Sequence, residues 1–188
     1  MGRIPTRDEA LEILSRYNQK EFLLKHARIV GGVLAYFARE HAPDEVGFWE
    51  VVGLLHDLDF EQWPDEHCVR SQAILRELGM DERLIRAVAS HGFGLASDVE
   101  PEHVMEKILF AADELTGLIG ATALLRPSRS IADLETKSVL KKFRTPSFAA
   151  GCSREVIQQG ADRLGWDLES LVDRTLAAMK SLLPDMAL

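Results

Sequence analysis

Apolar residues recur three and four positions apart along nearly the whole chain, and stretches that alternate apolar with polar are scarce. That spacing draws one apolar stripe down a helix and gives a sheet nothing to bury, so the sequence predicts an all-α helical bundle. Local punctuation sets the helices apart. Thr6 followed by Glu9 is a capping-box start for a helix through about Tyr17. A long helix is expected over about 19–40, with Phe22, Ile29, Val33, Leu34 and Phe37 on one side and Pro43 beyond its end. Asp44 is placed to cap a third, which runs through Trp49, Val52 and Leu55 to His56-Asp57. The pattern breaks over 58–64, because Pro64 disfavours helix at the residue before it. A helix over 65–78 stops at Gly79, and Asp81 caps the next, which ends near Ser90-His91-Gly92. Further helices are expected from Pro101 to about Leu125 and over 131–143, 153–164 and 167–183. No repeat or linker interrupts them. The expected organisation is one domain over 1–188, with a core over about 20–119 and C-terminal helices over about 130–183 packing on it.

With 188 residues, 46% hydrophobic and 28% charged, the chain has material for a sizeable core, which excludes disorder and fibre. Its 22 Lys+Arg against 30 Asp+Glu leave a formal charge of −8, so neither a nucleic-acid polymer nor an anionic membrane is an expected partner. The exception is local. Residues 126–144 hold Arg126, Arg129, Lys137, Lys141, Lys142 and Arg144 against Asp133 and Glu135, a local excess of four positive charges. Two cysteines, Cys68 and Cys152, without a secretory signal pattern point to a reducing cytoplasm and no disulfide framework. Met1-Gly2-Arg3-Ile4-Pro5-Thr6 fits a myristoylation pattern, a short match common by chance, and no lipid is expected.

Four of the six histidines and two aspartates follow one another as His26, His56-Asp57, His67, His91 and Asp113. Imidazole and carboxylate together suit divalent iron, manganese, zinc, cobalt or nickel. Asp113 lies within the apolar Ile108-Leu109-Phe110-Ala111-Ala112 segment's continuation, where an ionised carboxylate is costly unless paired or bound to a cation. Taken singly, each residue also fits a plain structural role. His26 suits a hydrogen-bonded core histidine, Asp57 a helix end, His67 a first helical turn, His91 a C-terminal cap cation, and Asp113 an ion pair with Arg28 or Arg126. Jointly, a bound metal accounts better for an adjacent His-Asp pair closing an apolar helix while isolated His and Asp occupy others.

Lys25-His26-Ala27, Leu54-Leu55-His56-Asp57-Leu58, Glu66-His67, Ala89-Ser90-His91-Gly92 and Ala111-Ala112-Asp113-Glu114 together resemble the HD-domain superfamily of metal-dependent phosphohydrolases, over about 20–119. The resemblance implies one or two divalent transition metals: His26, His56, Asp57 and Asp113 on the first, with Asp57 bridging to a second completed by His67 and His91. It implies hydroxide attack on a small phosphorylated substrate, possible nucleotides included, with His56 and Asp57 at the catalytic centre. Two other readings stay open, an HD-type di-iron oxygenase and a non-catalytic signalling or ligand-binding module. Many members of the family continue the pair as H-D-I-G-K, with a lysine for the substrate phosphate, whereas here Leu58-Asp59-Phe60 follows. An acidic Asp59 repels phosphate unless it is bound, protonated or turned away. The basic segment offers a replacement, and Ser128, Ser130, Lys141 and Arg144 are the substrate-binding candidates. Trp49, Trp63 and Trp166 are expected in packing, His41 and His103 on the surface, and Cys68 in a structural role. Oligomeric state is not legible.

Overall fold

The structure is a computed structural model, and it describes residues 2–183, so Met1 of the myristoylation pattern lies outside the described residues. Among them the chain is all-α, with nine α-helices and only isolated β-bridges. It divides into two compact units, 1–110 and 111–188, so the expected core of 20–119 runs across their boundary.

The first unit contains α1 (Arg7–Tyr17), α2 (Glu21–His41), α3 (Val46–Leu55), α4 (Val69–Glu77), α5 (Glu82–Ser90) and the start of α6 (Val104–Leu124). The capping box forms: Thr6 Oγ1 accepts from Glu9 N–H, and the Glu9 carboxylate accepts from Thr6 N–H at 2.7 Å. Asp81 caps α5 by accepting from Arg83 N–H at 2.9 Å. α2 packs on α3, and the stripe of Val30, Val33, Leu34 and Phe37 meets Trp49, Val52 and Leu55, all at most 1% exposed. The two backbones touch where glycines face each other. A Cβ added to Gly53 would stand 2.7 Å from Gly31 Cα and N. Only glycine permits that approach, and it fixes the spacing between the helix carrying His26 and the helix leading to His56.

Two expected helices are shorter than their apolar pattern suggests. The helix expected over 65–78 is a single 3-10 turn, Pro64–Glu66, followed by α4 from Val69, because Cys68 takes a left-handed conformation with φ of 64°. Asp44 does not cap α3; it sits within another 3-10 turn, Pro43–Glu45. Trp49 is fully buried, and His41 and His103 are exposed as expected while both lie against its ring. His41 stacks on the Trp49 ring at 6.2 Å between centroids, and His103 meets the same ring edge-on.

The second unit holds the rest of α6 with α7 (Thr136–Phe143), α8 (Arg154–Leu164) and α9 (Leu168–Lys180). α7 and α8 both pack on α9. Ser153 and Asp167 cap α8 and α9 through Val156 and Ser170 N–H, and Gly165 ends α8 at φ of 68°. The helix expected from 131 starts only at Thr136; Ile131 and Leu134 are buried in the preceding turn. The Arg154 guanidinium donates to the carbonyls of Phe148, Ala149 and Cys152 and so ties down the segment between α7 and α8. No helix among the described residues is long and apolar enough to cross a membrane.

Candidate functional site

In the first unit α2, the end of α3, the turn before α4 and the end of α5 bring four imidazoles around one carboxylate. The Asp57 oxygens lie 3.8 Å from His26 Nε2, 3.4 Å from His56 Nε2, 3.5 Å from His67 Nε2 and 3.4 Å from His91 Nε2. Backbone geometry aims the rings. His56 Nδ1–H donates to Gly53 O at 2.8 Å and His91 Nδ1–H to Val88 O at 2.6 Å, each reaching back one helical turn. With Nδ1 protonated, the neutral ring presents a bare Nε2 lone pair to the cluster.

Those lone pairs meet in two places. His26 Nε2 and His56 Nε2 are 3.3 Å apart, and His67 Nε2 and His91 Nε2 are 3.1 Å apart. Two bare lone pairs repel at such distances, so the arrangement is complete only with a proton or another cation between them. Donor atoms of His26, His56 and Asp57 form one set, and those of His67, Cys68 and His91 another, each within 4.8 Å, close enough to hold a metal ion.

Asp59, which stands near where the H-D-I-G-K pattern has its lysine, has a role that the sequence did not give. It is fully buried. Its Oδ1 accepts from His67 Nδ1–H at 2.7 Å and its Oδ2 from Ser71 N–H at 2.7 Å, so it orients the His67 ring and ties it to α4. Cys68 is likewise part of the site, with Sγ 3.8 Å from His91 Nε2. The only local signal for Asp59 was an ionisable residue between two apolar ones, Leu58 and Phe60.

The charges answer one another. Burial alone would raise the Asp57 carboxyl, but His56 and His91 beside it hold it well below the usual carboxylate range. Burial disfavours the charged form of His67, yet the hydrogen bond to Asp59 and the interactions with Cys68 together outweigh it and lift the ring to about 9. His91 is also raised against burial, by Cys68 and Asp57, and the two imidazoles bring the buried Cys68 thiol down to about 7. A raised histidine stabilises the fold fully below its unfolded value of about 6.5, and that contribution fades as pH climbs through about 9. Asp59→Asn is therefore expected to cost on the order of 2 kcal/mol near pH 6 and little near pH 9. Denaturant melts of both proteins across that range check it; parallel stability curves would contradict the role of Asp59.

Of the remaining candidates, Asp113 lies half-buried on α6 in the second unit, where its carbonyl accepts from Thr116 Oγ1. Ser128 and Ser130 are engaged in building a turn: Ser128 Oγ donates to Asp133 at 2.7 Å, and Ser130 Oγ accepts from Ala132 N–H at 3.1 Å. Lys141 and Arg144 are exposed at the end of α7.

No family profile matches the chain. It is 28% identical over 128 residues, 61% of its length, to a tRNA (cytidine(56)-2'-O)-methyltransferase of Picrophilus torridus. It is also 28% identical over 125 residues, 60% of its length, to the protein of the same name in Thermoplasma volcanium. The chain spans 37% of the length of each of these curated relatives. Both are enzymes by name, but transferases. The expectations drawn from the HD-domain resemblance are corrected on this finding. The relatives are named for methyl transfer to a tRNA ribose, not for phosphoester hydrolysis, oxygen chemistry or signalling, so the phosphohydrolase activity, its two rivals and the family assignment are withdrawn. The divalent transition-metal cofactor goes with them, since a methyltransferase is named for a methyl donor. The expected small phosphorylated substrate, with no nucleic-acid polymer, gives way to relatives that act on a tRNA; net charge misled there because it averages over the basic segment.

Proposed function

We propose that this chain is a tRNA-directed enzyme module that handles the proton of a ribose 2′-hydroxyl at the Asp57 cluster. The observation that carries the reading is the similarity to two tRNA 2′-O-methyltransferases, and the site supplies chemistry that suits it. Methylation of a 2′-hydroxyl forms an O–C bond, breaks the donor's C–S bond and releases the hydroxyl proton, which needs an acceptor. Asp57 is that acceptor: ionised, 15% exposed at its side chain, and ringed by imidazoles that relay the proton onward. His56, oriented by the Gly53 carbonyl, is one relay at 3.4 Å, and Asp59 and Ser71 keep His67 in register.

The methyl donor itself does not fit this cluster. A sulfonium cation is drawn to carboxylates and aromatic faces, whereas both carboxylates here are already engaged by imidazoles, two of which carry raised proton affinity. No step is assigned to the donor on these residues. The exposed Lys141 and Arg144 fit contacts to the RNA backbone. A tRNA-directed role places the chain in the cytoplasm, in keeping with two free cysteines.

The test is to incubate the purified chain with a tRNA transcript and methyl-labelled S-adenosylmethionine, measuring tRNA affinity and label in 2′-O-methylated nucleosides. We expect affinity tighter than the roughly micromolar nonspecific range at physiological salt, and label above background. Retention of tRNA without label would leave the RNA-directed reading and remove the proton role; absence of both would overturn the whole.

A further inference from the structure

A second feature lies wholly in the second unit. The C-terminal end of α6 and the face of α7 enclose a cleft of about 210 Å³ lined by Thr122, Leu125, Arg126, Leu134, Ser138, Lys141 and Lys142. Three of the lining side chains are cationic, two carry hydroxyls, of which that of Thr122 donates to the Leu118 carbonyl, and none is acidic. Arg126 is only partly used. Its Nη2 donates to Asp133 Oδ2 at 2.9 Å, while its Nε–H is buried and meets no acceptor in the described residues. A buried donor without a partner is costly, so Arg126 keeps a hydrogen-bonding capacity that no protein acceptor among the described residues meets. Lys142 Nζ stands 4.7 Å over the Phe148 ring, and the Lys142 carbonyl accepts from Arg154 at 3.4 Å, so this end of α7 is held in place.

We propose that this cleft binds a phosphate group, with Arg126, Ser138, Lys141 and Lys142 as its ligands. Planar guanidinium donors, two ammonium groups and a hydroxyl are the set that phosphate oxygens take, and a carboxylate would not bring enough oxygens to satisfy them all. One ligand comes from the turn after α6 and three from α7, with no acid in the lining, which separates the cleft from an ordinary solvated basic face. Asp133 neutralises part of Arg126 from outside, which leaves the two lysines as the dominant charge. That the phosphate belongs to an RNA backbone rests on the proposed tRNA-directed role; the cleft itself does not.

The experiment measures affinity of the full chain for tRNA, for inorganic phosphate and for adenosine monophosphate, across a salt series. It compares wild type, Lys141→Gln/Lys142→Gln, Arg126→Lys, which keeps a cation for Asp133 while removing the orphaned Nε–H, and Lys137→Gln. Lys137 is exposed on the same helix, pairs with Glu135 at 2.7 Å and does not line the cleft, so it controls for general charge. We expect the double variant to bind tRNA about tenfold more weakly, with a salt slope smaller by about 1 to 2. Arg126→Lys should weaken it severalfold, and Lys137→Gln should change it little. Equal losses in the double variant and, per charge, in Lys137→Gln would overturn the cleft in favour of diffuse attraction. Unchanged tRNA affinity in the cleft variants would overturn the cleft and leave the tRNA-directed role standing. Phosphate or adenosine monophosphate bound through Lys141 and Lys142, with no tRNA bound, would support the cleft and sink that role. No binding of any of the three would overturn both.

Discussion

Gly53→Ala is expected to lose about 3 kcal/mol or more of stability, the upper end of what overpacking costs. The reason is what the new methyl meets. It would stand 2.7 Å from Gly31 Cα and N and 2.9 Å from Val30 C, all backbone atoms that no rotamer change can move aside. α2 and α3 must part, and every apolar contact along their crossing loosens with them. For a chain of this size that corresponds to a melting point lower by roughly 6–12 °C. Gly47→Ala supplies the contrast: it lies in the same helix with nothing within 4 Å of its added Cβ, so it should be neutral or slightly stabilising. Thermal melts of the two variants decide the matter, and equal melting points would show that the close approach of the helices carries no energy.

Asp57→Asn is expected to reduce methyl incorporation at least 100-fold while tRNA affinity stays within about threefold. The amide has nearly the shape of the carboxylate but accepts no proton at neutral pH, and a positioned acid or base contributes roughly 10²–10⁴ in rate. The loss should fall on kcat and leave KM largely alone, since proton transfer belongs to the chemical step. The pH profile of any residual activity should also lose its acidic limb, because that limb reports a carboxylate held well below its usual range. A fall in KM-related affinity with intact kcat would assign Asp57 to binding and remove it as the proton acceptor.

What could be read from the sequence was what neighbours write. Thr6 with Glu9, and Asp81, act over two or three residues, and each starts its helix where local chemistry places it. The stretch before α4 could not be read that way. Its helix is cut short because Asp59 accepts from both His67 and Ser71, contacts 8 and 12 residues apart that hold the intervening turn open. No period in the apolar residues records such a tether. The four histidines around Asp57 were visible as an ordered set, and the structure brings all four within 3.8 Å of its carboxylate. The chemistry those residues serve was not visible, because one set of imidazoles and carboxylates supports many reactions and a composition of −8 conceals where its positive charges gather.

Far from Asp57, the backbone of Arg3 makes two bonds to the turn between α4 and α5: its N–H donates to Gly79 O at 3.0 Å, and its O accepts from Asp81 N–H at 2.9 Å. These bonds clasp the closed end of a helical hairpin whose open end carries His67 before α4 and His91 after α5. The hairpin that sets those two imidazoles edge to face is thus tied at its opposite end by a backbone clasp that no substitution at the site itself would touch.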